Sequence, residues 1–368
     1  MANQNSSNNL LFRLHIDLPL LISLLTLIAL GQVILYSASG ESITMMQRQA
    51  VRIGVAFVIM LVIAQISPDR MCRWSPILFM GGLIMLMAVL FAGTVSMGAR
   101  RWLDLGLFRF QPSEMMKLAV PMMLAWFLSR GSIPPKNKHL IISIFILITP
   151  VLLIAKQPDL GTSLLVSSAG FFAIFMAGVS WRLILGFLFS GVAFSIPMWL
   201  FLMHDYQRQR VLTMFNPESD PLGSGYHIIQ SKIAIGSGGA FGKGWLNGTQ
   251  SHLEFLPERH TDFIFSVFAE EFGFSGILIL LSLYLFIIFR GIYITSQAQG
   301  TFSRLLGASI VLTFAVYVFV NIGMVSGILP VVGVPLPLVS YGGTSIVTLM
   351  AGFGILMSIH THRKLLAY

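Results

Sequence analysis

Three polar stretches carry residue types that could do chemistry in a chain otherwise built of apolar runs. The most pointed is Thr261-Asp262, which follows Glu258-Arg259-His260 and opens the apolar run Phe263 to Phe268. A carboxylate in that position has two readings: it complements the positive end of a helix dipole, or it is a general base at the mouth of a cationic cavity. A second stretch runs from Arg100-Arg101-Trp102-Leu103-Asp104 through Arg109 and Gln111-Pro112-Ser113-Glu114 to Lys117. Pro112 and Ser113 read as a helix start, and Glu114 with Lys117 as an i, i+3 pair. An ion pair just inside an apolar span is expensive, so it either serves function or pins that span structurally. The third stretch, Lys156-Gln157-Pro158-Asp159-Leu160-Gly161-Thr162, reads first as a turn, because Pro, Asp and Gly are turn residues.

Other chemistries find less support. Gly236-Ser237-Gly238-Gly239-Ala240-Phe241-Gly242-Lys243-Gly244 imitates a phosphate loop. It fails the Walker pattern twice, with Ser237 in place of the first Gly and Gly244 where Ser or Thr must bind magnesium. It reads instead as a close-packing loop whose amides and Lys243 approach an anion. His252 and His260, with Glu254 and Glu258, lack the HExxH motif or any other short ligand spacing, so no dedicated metal site is expected. No GxSxG elbow is present, which argues against a serine hydrolase. The single cysteine, Cys72, excludes an intrachain disulfide and any multi-cysteine cluster.

The elements that position these residues are membrane spans. Of 368 residues, 55% are apolar and only 10% charged, against about 25% charged in a soluble domain. A span needs roughly 20 apolar residues, and ten such runs emerge: 17–39, 49–67, 75–95, 113–130, 139–155, 162–179, 182–203, 262–289, 305–329 and 340–361. The fifth and sixth are also readable as one broken helix. The expected fold is an all-α polytopic membrane protein of about ten transmembrane helices, a single domain over 1–368 with one long periplasmic segment, 204–261. That leaves no room for an ATPase domain. Within the long segment, Tyr226 to Ile235 reads as a short helix lying in the interface. Ten spans put both termini on one side. Outside 204–261, eleven basic residues fall on the terminal side and seven on the other, which favours cytoplasmic termini. Basic residues retained on the opposite face work against insertion and therefore have a task there.

The runs RWLDLG and RFQPSE (Arg101 to Glu114), QPDLGTS (Gln157 to Ser163), DPLGSGYHIIQSKIAIGSGG (Asp220 to Gly239), FLPERHTDFIF (Phe255 to Phe265) and GVPLPLVSYGG (Gly333 to Gly343) closely resemble the SEDS family of shape, elongation, division and sporulation proteins. The similarity covers nearly the whole chain and is nearest to the elongation members. It implies a ten-span inner-membrane peptidoglycan glycosyltransferase that polymerises lipid II beside a class B penicillin-binding protein, within the wider elongation machinery and without nucleic acid. The family's proposed catalytic carboxylate falls on Asp262. Arg48, Arg101, Arg109, Lys117, Arg208 and Arg210 are the candidates for the pyrophosphate, with Trp102, Glu114, Lys243, Glu258, Arg259, His260 and Ser340 as further substrate contacts. The leaving group needs charge neutralisation more than protonation, hence Arg and Lys, and a divalent cation such as Mg or Mn is the one cofactor to consider. A lipid II flippase and a non-catalytic scaffold are the alternatives. The clustering of charge at one side, rather than along a path across the membrane, favours the enzyme.

Overall fold

The computed structural model describes residues 14–96, 99–104, 106, 109–203, 205–220, 223–252, 255–256 and 258–362. Its helices are α1 (Leu18–Ala38), α2 (Ile43–Ala64), α3 (Pro68–Ala92), α4 (Pro112–Ser129), α5 (Asn137–Ala155), α6 (Leu160–Met176), α7 (Trp181–Pro197), α8 (Asp205–Phe215), α9 (Ser224–Ser237), α10 (Thr249–His252), α11 (Ile264–Ser296), α12 (Thr301–Val325) and α13 (Thr344–Thr361). Seven of them, α1, α2, α3, α5, α11, α12 and α13, are long and apolar enough to cross a membrane. Each of the ten apolar runs falls on a helix, α7 being continued by a π-helical turn, Met198–Leu202. Two helices begin well before their apolar runs: α2 by six residues and α3 by seven. Each is properly started, Ser42 accepting from Met45 N at 3.4 Å and Pro68 standing at the first helical position of α3. The fifth and sixth runs are two helices, α5 and α6, packed against each other across the turn 156–159.

Helices α4, α12 and α13 form the centre. Helix α13 packs on α2, α12 on α6 and α11, α4 on α3 and α6, and α1 on α11. Both described chain ends lie at one end of this bundle. His15 stacks on His362 at 4.0 Å between ring centroids, and Asp17 accepts from Arg290 at 2.6 and 3.0 Å, tying the start of α1 to the far part of α11. The start of α11, and Asp262 before it, therefore lie at the opposite end.

Three irregular pieces at that end were not legible as such in the apolar pattern. The first is a small antiparallel sheet, β1 (Thr94–Ser96), β2 (Ala99–Asp104) and β3 (Arg109–Phe110), pairing Thr94 with Trp102 and Leu103 with Phe110. The second is the helix-free stretch from Ser326 to Gly343, which runs through the bundle with Val334, Leu336, Leu338, Val339 and Ser340 buried. Non-helical backbone at such depth survives only inside protein or along a cavity, with its polar groups satisfied. Here Tyr284 donates to Pro337 O at 2.7 Å, and Gly31 lets Val339 approach so closely that a Cβ would stand 2.9 Å from its Cα.

The third piece is a break in α11 at Gly273, with φ 65° and ψ −164°. The break frees two carbonyls and two amides, and the glycine loop 238–244 takes up all four. Lys243 N and Gly244 N donate to Glu270 O and Glu271 O at 3.0 Å each, while Phe274 N and Ser275 N donate to Gly239 O and Ala240 O at 2.9 and 3.0 Å. The loop is close-packing, as its composition indicates. The anion that Lys243 approaches is the chain's own: Glu270 Oε1 accepts from Lys243 at 2.7 Å and from Thr249 Oγ1 and Gln250 N at 3.1 Å each.

Candidate functional site

At the end of the bundle opposite His15 and His362, a cavity of ≈ 280 Å³ opens between β2, the starts of α4, α6 and α13, and the segment 333–335. Sequence explains why polar residues meet there. Pro112 and Asp159 each begin a helix at this level, and Asp159 accepts from Thr162 N at 3.2 Å as the N-cap of α6. The small sheet carries Arg101 and Trp102 over the same opening. Arg101 donates to Pro158 O, and its Nε is buried with no partner among the described residues. Asp159 Oδ2 accepts from Gln111 Nε2 at 2.9 Å. Deeper in the cavity, Lys117 Nζ donates to Glu114 Oε1 at 2.5 Å and to the Tyr317 hydroxyl, with all three side chains buried. Glu114 Oε2 has no partner among the described residues.

Arg101 and Lys117 in this lining are balanced by Glu114 and Asp159, so the cavity wall itself is not strongly cationic. Further positive charge stands beside it. Arg52 lies over the Tyr341 ring at 4.6 Å and next to Gly343, a cavity residue. Arg210 donates to Val331 O at 3.1 Å and acts on Asp262 by charge. Asp262 is half-buried in the turn just before α11; Phe263, not Asp262, is the helix N-cap. A side chain at Gly333, which lines the cavity, would begin 3.5 Å from Asp262 Oδ2. Burial, with Glu258 nearby, pushes the Asp262 carboxyl up to about 6, and Arg210 opposes the shift.

The sequence-derived candidates are distributed unevenly. Arg101, Trp102, Glu114 and Lys117 share the cavity. Ser340 and His260 hold the turn of Asp262: Ser340 Oγ donates to Thr261 O at 2.6 Å and Tyr341 N to His260 O at 2.8 Å. Glu258 accepts from Thr261 Oγ1 at 2.7 Å, and Arg259 NH2 reaches toward Gly40. Three cations stand elsewhere. Arg48 is exposed on α2, Arg208 donates to Trp199 O and Leu200 O within the π-turn, and Lys243 is paired with Glu270. The backbone of Arg109 pairs with Asp104 in the sheet; its side chain lies outside the described residues, as do Glu254 and the side chain of His252.

Sequence reasoning passed over Tyr317, Arg52 and Asn321, and it named Gln111 and Asp159 only within their stretches, without assigning either to the site. Asp159 is in a turn, as expected, and lines the cavity as well. On α2, Gln49 donates to Ser340 O at 3.3 Å, and Arg52, close by on the helix, lies over Tyr341, whereas Arg48 is exposed. Asn321 had a usable signal: an amide inside an apolar helix must find partners. No three His, Cys, Asp or Glu side chains converge among the described residues, and Asp159 and Glu114 already serve Gln111, Thr162 and Lys117.

A helical bundle of membrane-crossing length with a polar, carboxylate-bearing cavity at one end defines a multi-pass membrane protein with a site facing one aqueous side. Residues 9–365 match the model of the cell cycle proteins of the FtsW, RodA and SpoVE type, and the chain belongs to that family. It is 58% identical over 356 residues to the peptidoglycan glycosyltransferase MrdB of Escherichia coli K12, covering 96% of each chain. It is 35% identical to the stage V sporulation protein E of Bacillus subtilis, over 95% of this chain and 98% of that one. Among solved structures, it superposes on a chain of a peptidoglycan synthase complex that coordinates polymerisation and crosslinking, with TM-score 0.83, 34% identity and 95% and 98% of the two chains covered. The rod shape determining protein RodA of Thermus thermophilus gives TM-score 0.72 at 29% identity over 95% and 98% of the chains.

Proposed function

We propose that the chain is a peptidoglycan glycosyltransferase of the bacterial inner membrane, which polymerises lipid II with Asp262 as general base. The observation that carries this is a half-buried carboxylate, raised to about 6, that lies just before a helix and directly behind Gly333, a residue of the polar cavity's wall. A base poised near the working pH is largely ionised yet still a competent proton acceptor. The 4-hydroxyl of one glycan gives its proton to Asp262 as its oxygen attacks the anomeric carbon of the other. The new C–O bond forms as the bond to the pyrophosphate breaks, and undecaprenyl pyrophosphate leaves with its charge. One base and one displacement imply inversion at the anomeric carbon. Arg101 and Arg210 are the cations best placed to neutralise the departing charge. The name of the 58% identical relative supports the reaction.

The same reading places both termini in the cytoplasm and 204–261 in the periplasm. It makes a class B penicillin-binding protein the partner, its single span lying on the exposed stripe Phe274, Leu278, Leu285 and Phe289 of α11. Asp262→Asn, purified with that partner and given labelled lipid II, is expected to bind substrate normally and lose about 10² to 10⁴ in turnover. Turnover within a few-fold of the parent would reduce Asp262 to a helix-dipole acid.

A further inference from the structure

The turn that carries Asp262 is held in an unusual way. Three consecutive carbonyls, those of His260, Thr261 and Asp262, each accept from a donor outside the turn: Tyr341 N at 2.8 Å, Ser340 Oγ at 2.6 Å and Asn321 Nδ2 at 2.9 Å. The Asp262 carbonyl is open to such a partner because the first turn of α11 is tight, Ser266 N donating to Phe263 O at 3.0 Å. Asn321 differs from the other two donors. It sits fully buried on α12, and the same amide nitrogen also donates to Val334 O at 2.7 Å. Val334 adjoins Gly333, the residue between the cavity and the Asp262 carboxylate. One side chain thus grips the peptide of the carboxylate and the peptide of the cavity wall that faces it.

We infer that Asn321 is a positioning residue for Asp262, fixing the distance between the carboxylate and the Gly333 wall by holding both backbones on one amide. The inference rests on Asp262 acting as the base. An amide in an apolar helix is costly unless its hydrogen bonds are made; Asn321 Oδ1 has no partner among the described residues, and both bonds that are made go from Nδ2 to the two irregular segments that frame the reaction. Holding the Asp262 carbonyl toward α12 fixes the rotation of that peptide and so the direction of the Asp262 side chain. If the grip is lost, the turn remains attached through residues 260 and 261 but is free to swing at 262. A displacement of about 1 Å at a reacting group costs on the order of 10² in rate.

The test is Asn321→Leu, similar in volume and without donors, purified with its partner and assayed on lipid II across pH. The expected result, per folded molecule, is a fall in kcat of about 10- to 100-fold with KM for lipid II within about three-fold of the parent. The acid limb of kcat/KM should also move down from about pH 6 toward the ordinary carboxylate range, as Asp262 gains water. A merely structural role lowers the melting temperature and the folded yield but leaves the kcat of the folded fraction and the limb where they were; either of those two remaining at the parent's value overturns the proposal. Should Asn321→Leu not fold, Asn321→Ser, whose short hydroxyl reaches at most one carbonyl, is judged on the same two quantities. Asp262→Asn, run alongside, separates the two ideas. Parent-like turnover there removes the base itself, whereas an inactive Asp262→Asn with a parent-like Asn321→Leu removes only the positioning role.

Discussion

Asp262 gains its properties from what surrounds it and not from its own residue type. A carboxylate raised to about 6 from 3.8 is destabilising once ionised. The cost is absent below the unfolded value, grows as pH rises between the two, and is fully present above the folded value. At about 1.4 kcal/mol per unit, this is at most about 3 kcal/mol. Asn removes the ionisation, so Asp262→Asn is expected to melt at or above the parent's temperature at pH 7.5 while losing turnover. Calorimetry on the same preparation used for kinetics checks the pairing, and a variant that is both inactive and much less stable would point to a structural role instead. The parent's own kcat/KM should fall tenfold per unit as pH drops below about 6, because the base is then protonated. A profile flat to pH 5 would mean that the essential carboxylate has an ordinary acidity. Glu258, which helps to raise Asp262 and is itself exposed, is the neighbour whose replacement by Gln should move that limb slightly down.

At the scale of elements, the site depends on breaks in helices that are closed by other breaks. The gap in α11 at Gly273 and the loop 238–244 satisfy each other's backbone groups, which places the start of α11 against α1 and α9. Gly242 lies so close to α11 that a Cβ would stand 2.1 Å from Glu271 O, and one at Gly273 would stand 2.2 Å from Gly242 N. Neither clash involves a flexible side-chain end, so something in the backbone must move. Gly242→Ala and Gly273→Ala are therefore expected to destabilise by more than about 2 kcal/mol, from left-handed strain together with lost backbone bonds. Gly239 also has positive φ, 55°, but faces open space. Gly239→Ala should cost only about 1 kcal/mol. Thermal unfolding of the three variants in one detergent tests the ranking, and three equal shifts would mean that the loop is not locked onto α11.

For the whole molecule, the ends of the described chain and the site lie at opposite ends of the bundle, linked by helices that run its length. The Asp17–Arg290 pair and the stacked His15 and His362 close the terminal end, and the cavity opens at the other. If the terminal end is cytoplasmic, the cavity meets lipid-linked glycan on the side where cell wall is assembled. A cysteine introduced at Ser219, between α8 and α9, should then react with an impermeant thiol reagent in whole cells. Reaction only after lysis would reverse the orientation and remove the proposed substrate from reach of Asp262. The net charge of +9 does not decide this, since basic residues stand at both ends.

Periodicity and composition were enough to read a helical membrane protein, because a run of some 20 apolar residues has few other stable states. Asp262, Arg101 and the Glu114–Lys117 pair were also visible in the chain, since charges beside apolar runs stand out against their cost. What remained hidden depended on contacts between distant segments. Arg48 and Arg52 are equivalent by composition, and only the approach of Tyr341 and Gly343 to Arg52 distinguishes them. Lys243 resembled an anion-binding lysine until folding brought Glu270 to it from 27 positions along the chain. Asp159 reads first as a turn residue and Asn321 draws no notice inside its apolar run, yet one lines the cavity and the other bonds both the Asp262 and the Val334 carbonyls. Local sequence sets which residues begin helices and which lie in lipid. Which polar group meets which is decided by tertiary packing, because a buried hydrogen bond is specified by both partners and neither carries the other's address.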